Sequence, residues 1–258
     1  MPGTIIVPRR SVAAGGIEFV GAYQAGWGNF TATETVSVGT LTGGIASSAS
    51  EGDFFIAAAM GSRLSAGSQN HTVTGNQSGA ATIELQDTSG AGSNDYSPSI
   101  TVVGGFEGAT VNTSFDVTAS LYNSALSGVL TIMYFRGVDG TTPFDVASTW
   151  FDEAETSEGT EDGDVEPPTI TPTTSGAVVV CFGNHSDLSS GHTFTDDAGD
   201  FEDFFVAVGN DSIATTATAG WASWTSGTFD PSIQVIGEAM AISRAGWVAS
   251  SHALRPAS

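Results

Sequence analysis

The sequence predicts an all-β protein, a jelly-roll-like β-sandwich in which two Greek-key halves share one core. Three observations carry this. Short apolar runs recur through all 258 residues, separated by Gly, Asn, Asp and Ser in the manner of strands and tight turns. Several runs alternate. Thr113-Ser-Phe-Asp-Val-Thr-Ala-Ser-Leu121 puts Phe115, Val117, Ala119 and Leu121 on one face and Ser114, Asp116, Thr118 and Ser120 on the other. No window of eleven or more residues carries a glycine-free helical stripe. The 33 glycines follow no fixed period, which excludes collagen.

In order, the first-half strands are expected at 17–23, 35–38, 53–60, 71–74, 80–86, 99–103, 114–122 and 129–135. A second series follows at 177–182, 204–208, 213–218, 221–224, 232–240 and 247–254. The halves echo one another weakly. Gly52-Asp-Phe-Phe-Ile-Ala-Ala-Ala-Met60 resembles Gly176-Ala-Val-Val-Val-Cys-Phe182. Leu130-Thr-Ile-Met-Tyr-Phe-Arg-Gly137 resembles the tract from Glu238 through Arg244 to Gly246. Duplication and chance similarity of Gly-rich segments both account for this. The expected organisation is an extended N-terminal arm over 1–12 and one sandwich domain over 13–258. An acidic inter-half loop falls at about 150–168, where 152–166 holds eight carboxylates and Pro167, Pro168 and Pro172 follow.

Charge narrows the partners. With 28 acidic and 6 basic residues the formal net charge is -22, and every basic residue is arginine. Such a surface repels nucleic acid and anionic lipid. No stretch has the length and apolarity of a membrane span, and the first residues lack a signal-peptide apolar region. Without lysine there is no P-loop, Schiff base or Ser–Lys dyad, and one cysteine, Cys181, makes no thiolate zinc site.

Few constellations carry chemistry. His185-x-Asp187 is half of a two-histidine, one-carboxylate metal site, and His192 lies in the same loop. The reading is an exposed polar loop, with no catalytic residue and no required cofactor. Asp196, Asp197, Asp200 and Asp203 are weak calcium candidates without the EF-hand order. Carboxylate pairs for glycoside hydrolysis are too numerous in an acidic chain to single one out. Trp221 and Trp224 are candidates for stacking on sugar rings. Six Asn-x-Ser/Thr sequons occur, at Asn29, Asn70, Asn76, Asn112, Asn184 and Asn210.

The tract Ile132-Met-Tyr-Phe-Arg-Gly-Val-Asp-Gly-Thr-Thr-Pro-Phe-Asp-Val146 resembles a "YRGVD…TPFD" element of uncharacterised bacterial and tailed-phage β-sandwich proteins. In these a Pro/Thr-rich stretch and an apolar strand follow, here 167–180, and a frequent "ALRP" ending matches Ala253-Leu-Arg-Pro256. The acidic insert and the loop from His185 to Asp203 depart from that pattern. The resemblance implies a non-enzymatic virion surface component, a capsid decoration or a head or tail fibre part, in contact with other virion proteins or a host-surface glycan. It fits a homo-oligomer. The alternative is a secreted glycan-binding module. Ile5, Ile6 and Val7, bracketed by prolines, together with Arg9 and Arg10, are the expected docking residues of the arm.

Overall fold

The computed structural model describes residues 16–28, 32–63, 71–77, 82–88, 97–119, 126–154, 164–187, 193–196, 199–209, 214–236 and 246–258. Among them are sixteen strands and no helix. The first half holds β1 (Glu18–Trp27), β2 (Thr33–Ser37), β3 (Phe54–Arg63), β4 (His71–Gly75), β5 (Thr82–Thr88), β6 (Ser97–Phe106), β7 (Ser114–Ala119) and β8 (Leu126–Arg136). The second holds β9 (Thr149–Ala154), β10 (Asp164–Val165), β11 (Val178–Asp187), β12 (Thr193–Asp196), β13 (Asp203–Val208), β14 (Ala214–Ser223), β15 (Ile233–Ile236) and β16 (Gly246–Leu254).

All pairings are antiparallel. The first half makes a five-stranded sheet, β1-β8-β3-β6-β5, and a three-stranded sheet, β2-β7-β4. The second makes β9-β16-β11-β14-β13 and β10-β15-β12. The orders coincide strand for strand, β1 answering to β9 and so on through β8 and β16. The five-stranded sheets lie face to face, β1 against β13, β8 against β14, β3 against β11 and β6 against β16. Exchanging the halves turns β8 with β14 into β16 with β6. A twofold axis between β3 and β11 has this property, so the halves are related as subunits of an isologous dimer.

The single shared core expected from sequence is corrected to three. Between the five-stranded sheets lie Phe19, Phe54, Ile56, Met60, Met133, Phe135, Val180, Phe182 and Trp221. Phe55, Leu130, Ile132 and Tyr134 point the other way, onto Val36, Val73, Phe115 and Val117 of the first outer sheet. Val179, Cys181 and Ala249 likewise meet Val165, Phe194 and Ile233 of the second. The central strands β3 and β11 are therefore covered on both faces, which is why both read as unbroken apolar runs. The outer sheets keep one wet face: on β7, Phe115 and Val117 are buried while Asp116 is exposed.

The register fixes which echoes are real. Phe54 pairs with Phe106 and Phe135, and Val178 with Ser223 and Leu254. Gly52 and Gly176, two residues ahead, both adopt positive φ, 82° and 83°. The first echo thus holds. The second is corrected: β8 answers to β16, so Phe135-Arg136 matches Leu254-Arg255, and the tract around Arg244 lies outside the described residues. The inter-half loop is also shorter than expected, because its ends pair as β9 and β10. The runs 213–218 and 221–224 form one strand, β14, continuous through Gly220, where a Cβ would stand 2.5 Å from the Phe201 ring.

The two end strands β1 and β9 are finished differently. After β2 the chain returns along the outer edge of β1. Ala22 and Thr42 exchange backbone bonds of 2.9 Å, and Ile45 and Ala46 donate to the carbonyls of Phe19 and Val20. Gly44 permits this approach, since a Cβ there would lie 2.2 Å from the Val20 oxygen. Among the described residues no segment pairs with the outer edge of β9.

Candidate functional site

The tract that carries the family resemblance is a clasp between the halves. It leaves β8 at Arg136, turns at Gly137 (φ 83°) and runs beside the C-terminal segment. Val138 bridges Pro256, Asp139 N donates to Arg255 O at 2.9 Å, Arg255 N to Pro143 O and Asp145 N to Ala253 O, both at 2.8 Å. Asp139 Oδ1 accepts from the amides of Thr141 and Thr142, closing the turn. Phe144 packs edge-on against Phe54.

Asp145, 7% exposed, is the hub. Oδ2 accepts from Thr174 N at 2.9 Å, Thr173 Oγ1 at 3.1 Å and Thr173 N, while Oδ1 accepts from Thr174 Oγ1 and, at 3.2 Å, Arg255 Nε. Burial alone would raise its pKa; the Thr174 and Thr173 donors outweigh that and hold the carboxyl below its ordinary value. Arg136, the counterpart of Arg255, forms a two-pronged pair with the buried Asp53 at 2.9 and 3.0 Å. Sequence reading missed both pairs; the repeated Phe/Leu-Arg at the end of β8 and β16 was the available signal.

Among the described residues the metal candidates form no group of three ligands. His185 lies on β11, its ring 5.7 Å from that of Phe194, and Asp187 ends the same strand. His192 and Asp197 lie outside the described residues. Asp196 is occupied as a turn cap, with Oδ1 accepting from Asp200 N at 2.9 Å and Oδ2 from Phe201 N at 3.0 Å. Asp203 accepts from Trp221 Nε1 at 3.1 Å. Burial, then the neighbouring Asp196 charge, raises the Asp200 pKa; burial raises that of Asp203 against the Trp221 bond. Beside this turn an open groove of about 410 Å³ runs between Glu166, Pro167, Pro168 and Thr169 on one wall and Asp230, Pro231 and Ser232 on the other.

The tryptophan reading is corrected at Trp221. It is 3% exposed, lies in the central core 5.1 Å from Phe19, and has no free face for a sugar. Trp224 is half-buried against the second outer core and donates Nε1 to Gly227 O at 2.8 Å. The exposed tryptophan is Trp150 on β9, 45% exposed, which the sequence offers among its five but behind Trp221 and Trp224. Two sequons are also buried. Asn112 is held by Glu107, and Asn184 donates Nδ2 across the central interface to the carbonyls of Gly61 and Ser99, both at 2.9 Å. Neither side chain is open to a glycan.

Burial disfavours the charged forms of several core groups. Burial lowers the His71 pKa to about 4 and that of His252 to about 3. His252 bonds the hydroxyls of Ser148 at 2.7 Å and Ser250 at 3.0 Å. Burial pushes Cys181 up to about 12, so its thiol is a core group beside Ser251. Burial also raises Glu107 against the Asn112 hydrogen bonds, and raises Tyr134 beside it. The expected docking residues Ile5, Ile6, Val7, Arg9 and Arg10 lie outside the described residues. Comparison with protein-family models and with curated protein sequences gives no match.

Proposed function

We propose that the chain is a non-enzymatic structural component of a tailed-phage virion surface, a capsid decoration or a head or tail fibre part, assembled with other virion proteins. The observation that carries this is the use made of the resembling tract. Its acidic, threonine and aromatic residues are spent on holding two sandwich halves together, with Asp145 receiving five donors from Thr173, Thr174 and Arg255. A family signature invested in a clasp suits a protein selected for mechanical integrity. The winding supports the same reading. Strands 1-8-3-6-5 form one sheet and 2-7-4 the other, an order in keeping with a jelly roll, and it recurs in the second half. A formal charge of -22 keeps such a surface soluble at high local density.

The test is mass spectrometry and immunogold microscopy of particles purified from a host that expresses the chain. Stoichiometric presence on a head or tail surface supports the proposal. Particles that lack the protein, with the chain instead retained on a glycan array, would favour a glycan-binding module, for which half-buried Trp224 and exposed Trp150 are the remaining aromatic surfaces.

A further inference from the structure

The two end strands that the pseudo-twofold relates, β1 and β9, differ in one respect. The outer edge of β1 is sealed by the chain's own segment through Thr42, Ile45 and Ala46. The corresponding segment after β10 goes elsewhere: Ile170 bridges Phe229, and Thr173 and Thr174 serve Asp145. Among the described residues β9 is therefore bonded on one side only, to β16. At the place where β1 carries Gln24, which donates to Thr131 at 2.9 Å, β9 carries Trp150, 45% exposed. An open strand edge beside an exposed indole is a template for an added strand.

The geometry points to one occupant: we propose that the outer edge of β9 receives the stretch Ile5-Ile6-Val7 from the N-terminal segment of a second copy. The segment outside the described residues is fifteen long and contains three consecutive β-favouring apolar residues between Pro2 and Pro8. Arg9 and Arg10 follow. They are complementary in charge to β9, which carries Asp152 and Glu153, and to the acidic sequence after it. The two arginines whose side chains are described, Arg136 and Arg255, are already in ion pairs.

Reach argues for a second copy rather than the same one. Described chain begins at Gly16, ahead of β1, while β9 ends the second sheet beyond β16, whose partner across the core is β6, far from β1 in the first sheet. Four strand spacings and one sheet spacing separate those edges by about 22 Å in a straight line through the core. The nine residues from Pro8 to Gly16 extend about 30 Å at most, with little left for a path around the body. A neighbouring molecule removes that constraint. Arm-to-edge contact closes by mutual exchange into a dimer or propagates head-to-tail into a ring or a filament.

The test uses the full chain and two variants, Ile6→Asp and Trp150→Asp, in native mass spectrometry and light scattering over a concentration series. Far-UV spectra and melting temperatures confirm that each variant folds. The wild type is expected at multiples of 26.2 kDa, and each variant alone at the monomer mass. A mixture of the two restores dimers and nothing larger, because one chain retains an intact arm and the other an intact edge. A monomeric wild type, a Trp150→Asp chain that assembles like the wild type, or a mixture that stays monomeric overturns the proposal.

Discussion

Replacing Asp145 by alanine removes the hub of the clasp. The carboxylate is buried and accepts two backbone amides, two threonine hydroxyls and one guanidinium. Hydrogen bonds to a charged group contribute about 1.5–3 kcal/mol each, but bonds to one acceptor do not add. Arg255 is 35% exposed, so its ion pair is screened and contributes little. The dominant cost is the loss of the one buried carboxylate that the amides and hydroxyls of exposed Thr173 and half-buried Thr174 share, in all about 3–5 kcal/mol. At about 2–4 °C per kcal/mol for a chain of this size, Asp145→Ala melts roughly 6–20 °C below the wild type. Arg255→Met, which leaves the carboxylate and its threonine donors in place, stays within about 1 kcal/mol. The assay is urea unfolding followed by tryptophan fluorescence, with melting as a second readout. The pH dependence is a further check. Because the folded pKa lies below the ordinary 3.8, the stabilisation is complete above that value and is lost as pH falls through the lower folded one. The wild-type advantage is therefore constant from pH 8 to 5. An Asp145→Ala chain within about 2 °C of the wild type, or an Arg255→Met chain equally destabilised, refutes the clasp as an energetic element.

Three other outcomes follow from the packing. His252, held neutral with its pKa lowered to about 3, stabilises fully above 6.5 and progressively less as pH falls towards the folded value. Replacing it by Met, the residue at the matching position 133, gains about 2 kcal/mol on the wild type between pH 7 and 5, and a pH-independent difference in urea midpoints counts against this. Gly44→Ala drives a Cβ into the Val20 carbonyl and unseals β1, so faster amide exchange is expected at Ala46, whose N–H bonds that carbonyl; unchanged exchange there contradicts the seal. Asp196→Ala costs about 1–2 kcal/mol by uncapping the turn, equally in calcium and in chelator; a calcium-dependent rise in the wild-type melting temperature that the variant loses would show that the turn holds a cation instead.

The fold class was legible because its signals are local. Alternation at Phe115 and Val117 marks a one-sided strand, and the unbroken run from Phe54 to Met60 marks one covered on both faces. Strands β10 and β12 were not legible, since Asp164–Val165 and Thr193–Asp196 are short and polar and gain their place only by pairing with β15. The repeat was half legible. The glycines at 52 and 176 announce it, whereas β8 and β16 share little beyond an arginine because their inner faces meet different neighbours. Trp221 misled for a related reason: the space it fills is created by Phe19 and Phe135, more than eighty residues away in sequence. Trp150 was one of five tryptophans able to stack on a sugar, and only the sheet order reveals that its strand ends a sheet.

The twofold relation has a consequence for how the interior diversified. In a true homodimer one codon serves both ends of the axis, so a bulky side chain must meet its own image. Here each position exists as two codons. Trp221 stands where the first half has Gly104, a site whose Cβ space is taken by the Phe54 and Phe144 rings. Phe182 stands opposite Ala58 in that correspondence, Asn184 opposite Met60, and His252 opposite Met133. At Trp221 with Gly104 and at Phe182 with Ala58, bulk on one side is matched by its lack on the other. Cut between Val138 and Ser148, the chain would yield two unlike pieces whose inner faces complement each other, a lock supplied with its own key.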